Sequence, residues 1–263
     1  MKNEKMLRFL YHTLPGRLML RVLIAPGLSR AAGKFLSSAP SKLLVPGFVR
    51  RAEIDLSQCE KQKFSSFNDC FTRKLYPSLR PFAMDKDALC APCDGLLSVY
   101  PIQNGTVFPV KQSAYTLDSL LREHTVGYAH AFVFRLCVTH YHRYAYPAEG
   151  LKSAQRDIPG VLHTVRPIAL EGIPVFCENA RSFCTIDNPA FGRLLQMEVG
   201  ALLVGKIQNH IQGEAEVKKG EEKGMFLYGG STVILLTPPN VIPLPEFLTS
   251  GEHPVQMGQR INA

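Results

Sequence analysis

The sequence predicts an α+β fold, with a helical N-terminal region packed on an antiparallel β-sandwich or barrel-like body. Three observations predict it. Apolar residues recur at helical spacing through residues 6 to 24. From about residue 88 the texture changes to short β-rich runs separated by turns. The 263 residues are 46% hydrophobic and only 20% charged, enough for a real core and against wholesale disorder.

In the N-terminal region, Arg8, Arg17 and Arg21 stand among the apolar positions, and Pro15-Gly16 and Pro26-Gly27 punctuate short helices. Ser29 is a candidate cap for a helix through Phe35, and Ser41 for one through Leu44. In the body, Leu96 to Val99, Thr106 to Val110, Ala131 to Val138, Gln196 to Val204 and Val233 to Leu236 read as strands. Tyr115 to Glu123 reads as the one clear helix there. This places a helical region at 1–75 and a β-rich domain at 76–263.

The net charge of +8 is uneven. Residues 1 to 51 hold ten Lys or Arg against Glu4 alone, a net +9, so the remaining 212 residues sum to −1. Nucleic acid and an anionic membrane surface both suit such a segment. Its charges alternate with Leu, Phe, Met, Val and Ile, which favours the membrane over nucleic acid. Packing of the same helices on the protein's own body is compatible with this if different faces are used. Apolar runs such as Leu18-Met19-Leu20 and Val22-Leu23-Ile24 are too short to cross a bilayer. With seven cysteines and no secretory signal, the sequence suggests free thiols in a reducing compartment. Cys90 and Cys93 form a CxxC without a second ligand pair at zinc spacing, so no metal is expected.

The chemistry concentrates at Gly229-Gly230-Ser231-Thr232, just before the strand-like Val233 to Leu236. Glycines and a Ser-Thr pair opening a strand account for it as a turn. A second account is chemical. A serine hydroxyl can attack the preceding carbonyl and convert the peptide to an ester. A glycine before it leaves that carbonyl open. A base must take the proton and donors must hold the oxyanion. Elimination then leaves dehydroalanine, which hydrolyses to a pyruvoyl cap.

The segment resembles the Gly-Ser-Thr cleavage motif of phosphatidylserine decarboxylases. Other segments follow that family's order: Phe67 to Leu75 with Arg80-Pro81, Ala91-Pro92-Cys93-Asp94-Gly95, Tyr115 to Leu121, Tyr141-His142-Arg143-Tyr144, Leu162 to Ala169, Asn179-Ala180-Arg181, and Phe191-Gly192 with Val199-Gly200-Ala201. The resemblance implies self-cleavage between Gly230 and Ser231. The products are a large chain, 1–230, and a small chain, 231–263. Ser231 becomes the covalent pyruvoyl cofactor, which condenses with the amine of phosphatidylserine so that carbon dioxide can leave. It implies an enzyme peripheral to the cytoplasmic face of the cell membrane, with room for a homodimer. Asp94, otherwise a turn residue, is implied as the acid of a charge relay that orients a histidine. His142 is implied as an acid/base.

One departure matters. Many members carry a second histidine where this chain has Ala145. Either His142 serves both steps, or His163 supplies the missing imidazole from a neighbouring strand. Period-2 geometry would place His140 and His142 on one side of their strand. Arg143, Arg166 and Arg181 are possible headgroup ligands or ordinary ion-pair residues. Rival readings are a pyruvoyl-dependent decarboxylase of another amino acid or headgroup, and a non-catalytic membrane-associated β-sandwich.

Overall fold

The computed structural model describes residues 2–103, 107–110, 113–170, 173–201, 206–229 and 231–263. Helices come first: α1 (Lys2–His12), α2 (Leu14–Leu23), α3 (Pro26–Leu36), α4 (Val45–Arg51) and α5 (Phe67–Phe71). The body then runs β1 (Gly95–Pro101), β2 (Val107–Val110), β3 (Ser113–Thr116), α6 (Leu117–Leu121), β4 (His130–Leu136), β5 (Arg143–Ala145), β6 (Gly150–Lys152) and β7 (Arg156–Ile158). It ends with α7 (Pro167–Leu170), α8 (Val175–Glu178), β8 (Arg181–Asn188), β9 (Gly192–Val199), β10 (Ile207–Asn209), β11 (Ala215–Val217), β12 (Glu222–Phe226), β13 (Ser231–Thr237) and β14 (His253–Val255). The fold is α+β, as the sequence predicts.

The main sheet is antiparallel and open, in the order β11-β6-β8-β9-β13-β4-β1-β14, with β7 also on β8. A smaller sheet, β10-β12-β5, and the hairpin β2-β3 complete the body. All seven residues of β13 are buried, so this strand is the spine of the core.

The helical layer obeys its punctuation. Thr13 caps α2 by accepting the Gly16 N–H. Gly16 is required by contact, because a Cβ there would lie 2.0 Å from the Phe9 carbonyl oxygen of α1. α3 begins earlier than a Ser29 cap predicts, since Pro26 occupies its first position, where a missing N–H costs nothing. Residues 39–44 form a 3-10 turn inside which the Ser41 hydroxyl accepts the Phe67 N–H.

Three strand-level expectations need correction. Tyr115 lies in β3, because Thr116 ends the strand and caps α6 through the Ser119 N–H. The strand expected at 196–204 is β9, displaced toward the N-terminus, and residues 202–205 lie outside the described residues, as does Thr106. β4 ends at Leu136, so His140 and His142 sit in a turn and a loop where period-2 alternation has no force.

Between the two larger sheets lies a polar interior. Lys223 on β12 and Glu198 on β9 form a fully buried ion pair at 2.6 Å, supported by Asn209. Removing one partner strands the other charge, which costs about 3–5 kcal/mol, whereas apolar replacement of both is often close to neutral. Lys223→Met should therefore lose that much stability in urea unfolding, and Lys223→Met with Glu198→Leu should recover most of it. Equal losses in the single and double variants would contradict this.

Candidate active site

Register assembles the site. One row of paired residues crosses five strands: Leu96, Arg135, Thr232, Val199 and Arg181. Ser231 stands one step before this row on β13, opposite Leu136. Asp94 stands two steps before it, just ahead of β1. Gly200, just after β9, donates its N–H to the Ala180 carbonyl at 2.9 Å. One end of the sheet thus gathers Asp94, Ser231 and the segment around Asn179.

Ser231 is fully buried, and its Oγ finds no hydrogen-bond partner among the described residues. Leaving a buried hydroxyl unpaired costs about 1–3 kcal/mol, and Thr232 and Thr237 of the same strand share this state. Gly229 has φ +139°, a conformation that side-chain-bearing residues rarely adopt. Gly230 lies outside the described residues.

The turn before Ser231 is held by α5. Asn68 accepts the Tyr228 N–H at 3.0 Å, and Tyr228 packs edge-on against Phe67 and Phe71. Phe71 also packs on the His142 ring at 4.1 Å. The motif segment at 67–75 therefore acts as the buttress of both the turn and the histidine.

His142 is fully buried. Its Nδ1 lies 2.9 Å from the His140 carbonyl oxygen. A carbonyl only accepts, so Nδ1 carries the proton and Nε2 presents a lone pair. Nε2 makes no hydrogen bond of ordinary length, although the Gly229 backbone is near enough to favour the charged ring. Burial pushes the pKa down to about 3; the His140 carbonyl opposes this, and the Arg73 charge adds to it. The result is a neutral imidazole next to the turn that precedes Ser231, in the protonation state a general base requires.

His163 is placed differently. It lies in a loop between β7 and α7, not on a strand, and both ring nitrogens are engaged. Nδ1 lies 3.3 Å from the Tyr11 hydroxyl of α1, and Nε2 lies 3.1 Å from Glu178. Burial lowers its pKa, opposed by Glu178. Asn179 clamps its backbone through the N–H and the carbonyl and also reaches the Gly200 carbonyl.

Asp94 is buried, but its carboxylate meets no histidine among the described residues. Arg80 grips it with two bonds of 2.7 and 2.6 Å, and the Met257 N–H adds a third at 2.9 Å. The imidazole that senses its charge is His140, whose pKa burial lowers and Asp94 raises. Ala145 is buried on β5. The relay implied by resemblance is therefore not a direct Asp94–imidazole contact here.

The remaining arginines separate cleanly. Arg143 pairs with Glu222 at 2.6 Å and donates to the Thr72 carbonyl. Arg181 donates to four carbonyls between 2.7 and 3.1 Å. Arg166 is exposed. Sequence reasoning missed Arg80, Asn68 and Phe71 as parts of the site, although all three fall in segments it singled out.

The His142 shift has a signed consequence. An unfolded histidine takes a proton near pH ~6.5, but the folded ring stays neutral until about pH 3. Between these values the unfolded state binds more protons, so stability falls as pH falls, by on the order of 1 kcal/mol per unit from this group. His142→Gln should flatten the stability–pH curve between pH 6 and 4 in urea titrations. Parallel curves for the two proteins would refute the buried neutral ring.

Comparison with known proteins adds an independent finding. A family profile described as phosphatidylserine decarboxylase matches residues 67–263. The chain is 37% identical to phosphatidylserine decarboxylase proenzyme 2 of Clostridium acetobutylicum, over 97% of this chain and 90% of the relative. It is 35% identical to the phosphatidylserine decarboxylase proenzyme of Ruminiclostridium cellulolyticum, over 92% and 84%. For the corresponding proenzyme of Chlamydia felis the identity is 38%, over 91% and 83%.

Proposed function

Since the chain belongs to the phosphatidylserine decarboxylase family, we propose that it converts phosphatidylserine to phosphatidylethanolamine and carbon dioxide at a membrane surface, after cutting its own backbone between Gly230 and Ser231. The observation that carries the proposal is the buried, unpartnered Ser231 hydroxyl at the first position of β13, with the neutral His142 ring against the preceding turn. The relatives are named proenzymes, which supports processing into two chains, 1–230 and 231–263.

In this reading the Ser231 Oγ attacks the carbonyl of residue 230, and His142 Nε2 takes the hydroxyl proton. Elimination then removes the Ser231 Cα proton and expels the 1–230 chain as a carboxylate that keeps the ester oxygen, and hydrolysis of the resulting dehydroalanine releases ammonia and leaves a pyruvoyl group at position 231. The residues fit such a group, because a buried hydroxyl with no competing hydrogen bond sits at the mouth of the sheet. A pyruvoyl carbonyl supplies the electron sink that no side chain offers for loss of carbon dioxide. His142 then serves both proton transfers in place of the imidazole absent at Ala145. His163, tied on both nitrogens, positions the Asn179–Gly200 wall. Arg80 holds Asp94 in place, and Asp94 acts in turn on His140.

The helical region, residues 1–75 in our division, is proposed to hold the protein on an anionic bilayer. Leu7, Leu10 and Tyr11 of α1 and Leu20 of α2 face inward, yet Met6, Phe9, Leu14, Leu18, Met19 and Val22 are exposed. Lys5, Arg8, Arg17 and Arg21 are exposed beside them. A water-facing helix surface would be polar; this one is apolar with a basic fringe, the pattern of an interfacial helix. Each basic residue near an anionic leaflet contributes about 1 kcal/mol. No described helix is long and apolar enough to cross a membrane.

Intact mass spectrometry of the purified protein should show two chains with a blocked new N-terminus at 231. Ser231→Ala should give one uncut chain and no ethanolamine lipid. An active preparation that retains an intact peptide-linked serine would end the proposal. The protein should also sediment with anionic vesicles and be released by salt. Equal binding to neutral vesicles at high salt would remove the electrostatic part.

A further inference from the structure

Buried cations reveal what the protein leaves unsatisfied. Arg181 is 2% exposed, and carbonyl oxygens satisfy its guanidinium at four short contacts. Lys223 has Glu198, and Arg80 has Asp94. Arg73 has nothing comparable. It is 7% exposed, and no carboxylate lies within ion-pair distance among the described residues. Its hydrogen bonds to the Phe71 and Thr139 carbonyls are long at 3.5 and 3.4 Å, its Nε has none, and the Cys59 thiol is another polar neighbour. Burying an unpaired charge is costly, and a bound anion would offset that cost.

Arg73 lines a cleft of about 270 Å³ together with Arg80, Asp94, Thr139, His140 and Tyr141. The cleft borders the proposed site. Arg73 lies close enough to His142 for its charge to act on that ring, and Phe71, two residues earlier, packs on the same ring. Asp94 also lines the cleft and acts on Arg73 at longer range, but Arg80 holds both of its carboxylate oxygens. Glu53 and Asp55 also line the cleft, but both are exposed to solvent, where their repulsion is screened.

We propose that Arg73 is an anion-binding residue that receives the phosphodiester of the substrate headgroup within this cleft. The assignment rests on the decarboxylase reading above. Chemistry selects the phosphodiester over the substrate's carboxylate. A cation held on the scissile carboxylate stabilises the ground state more than a transition state from which that charge is leaving, and so slows the reaction. A phosphodiester keeps its charge throughout, so a guanidinium on it anchors the substrate without opposing the chemistry. Guanidinium also suits paired phosphate oxygens better than ammonium does.

The test uses the full-length, self-cleaved protein, its Arg73→Gln and Arg73→Lys variants, and two headgroup fragments. Glycerophosphoethanolamine has the phosphodiester and lacks the carboxylate; O-methylserine has the reverse. Calorimetry should show glycerophosphoethanolamine binding weakened roughly 10- to 100-fold in Arg73→Gln and less in Arg73→Lys, with O-methylserine binding unchanged. In mixed micelles, KM for phosphatidylserine should rise by a similar factor, with kcat within about twofold. Inorganic phosphate, a separate arm, should raise the Tm of the parent and not that of Arg73→Gln. If Arg73→Gln does not fold, absence of glycerophosphoethanolamine binding by the parent, or unaltered binding by Arg73→Lys, overturns the site. Weakened O-methylserine binding with glycerophosphoethanolamine unaffected assigns Arg73 to the carboxylate and also overturns it. Arg73-dependent binding in a protein that decarboxylates nothing would sink the proposed reaction and leave the site standing. Turnover of phosphatidylserine with KM unchanged in Arg73→Gln would do the reverse.

Discussion

Strand β13 lies between β4 and β9 with every one of its residues buried, and its register holds Ser231 where the rest of the site can meet it. A slip of one residue would turn each side chain of the strand to the opposite face and exchange Ser231 for Thr232. With Val233, Ile234, Leu235 and Leu236 all packed, such a slip disrupts the core on both faces of the sheet. The position of the serine is therefore enforced by the hydrophobic core rather than by hydrogen bonds to the serine itself. This is why its hydroxyl can remain unpartnered: the ladder fixes the backbone, and the side chain is left available.

The surrounding electrostatics follow a similar division of labour. Arg80 fixes Asp94 on two oxygens, the Glu198–Lys223 pair is sealed between the sheets, and carbonyls absorb the charge of Arg181. Each of these charges is neutralised within the protein. Against that background a neutral His142 and an Arg73 without an ion pair among the described residues stand out, and both lie near α5 and the loop after β4. Direct carboxylate–imidazole contacts are made instead by Glu222 with His210 and by Glu178 with His163, where Tyr11 occupies the other nitrogen. His142 and His163 thus differ in kind: one is an imidazole with a free lone pair, and the other an imidazole locked as a structural joint.

Much of the fold was legible because it rests on local patterns. The apolar spacing of residues 6–24 and the β-rich runs after residue 88 located both layers, and Pro15-Gly16 located a helix start. What the pattern missed came from contacts remote in sequence. Arg80 meets Asp94 across 14 residues, Asn68 meets Tyr228 across 160, and Tyr11 meets His163 across 152. No periodicity encodes such pairs. The alternation assigned to His140 and His142 failed because β4 ends at Leu136, and hydrophobicity alone does not show where a buried strand stops. Tyr115 was misplaced because a threonine cap both ends a strand and starts a helix. The cleavage motif was readable as chemistry, and the structure adds that Ser231 opens β13 and is fully buried.

The N-terminal helices join these themes. Tyr11 projects from the inner face of α1 to contact His163 and the Thr164 N–H, and the Ile24 carbonyl after α2 accepts the Leu162 N–H. The outer faces of the same two helices carry the exposed apolar and basic residues. At Gly16 the two helices approach backbone to backbone and pack as a pair. A lipid surface that gripped this unit would act within one side chain of the wall formed by His163, Asn179 and Gly200. Tyr11 and Ile24 thus tie the inner faces of α1 and α2 to the loop at 162–164 that leads into that wall.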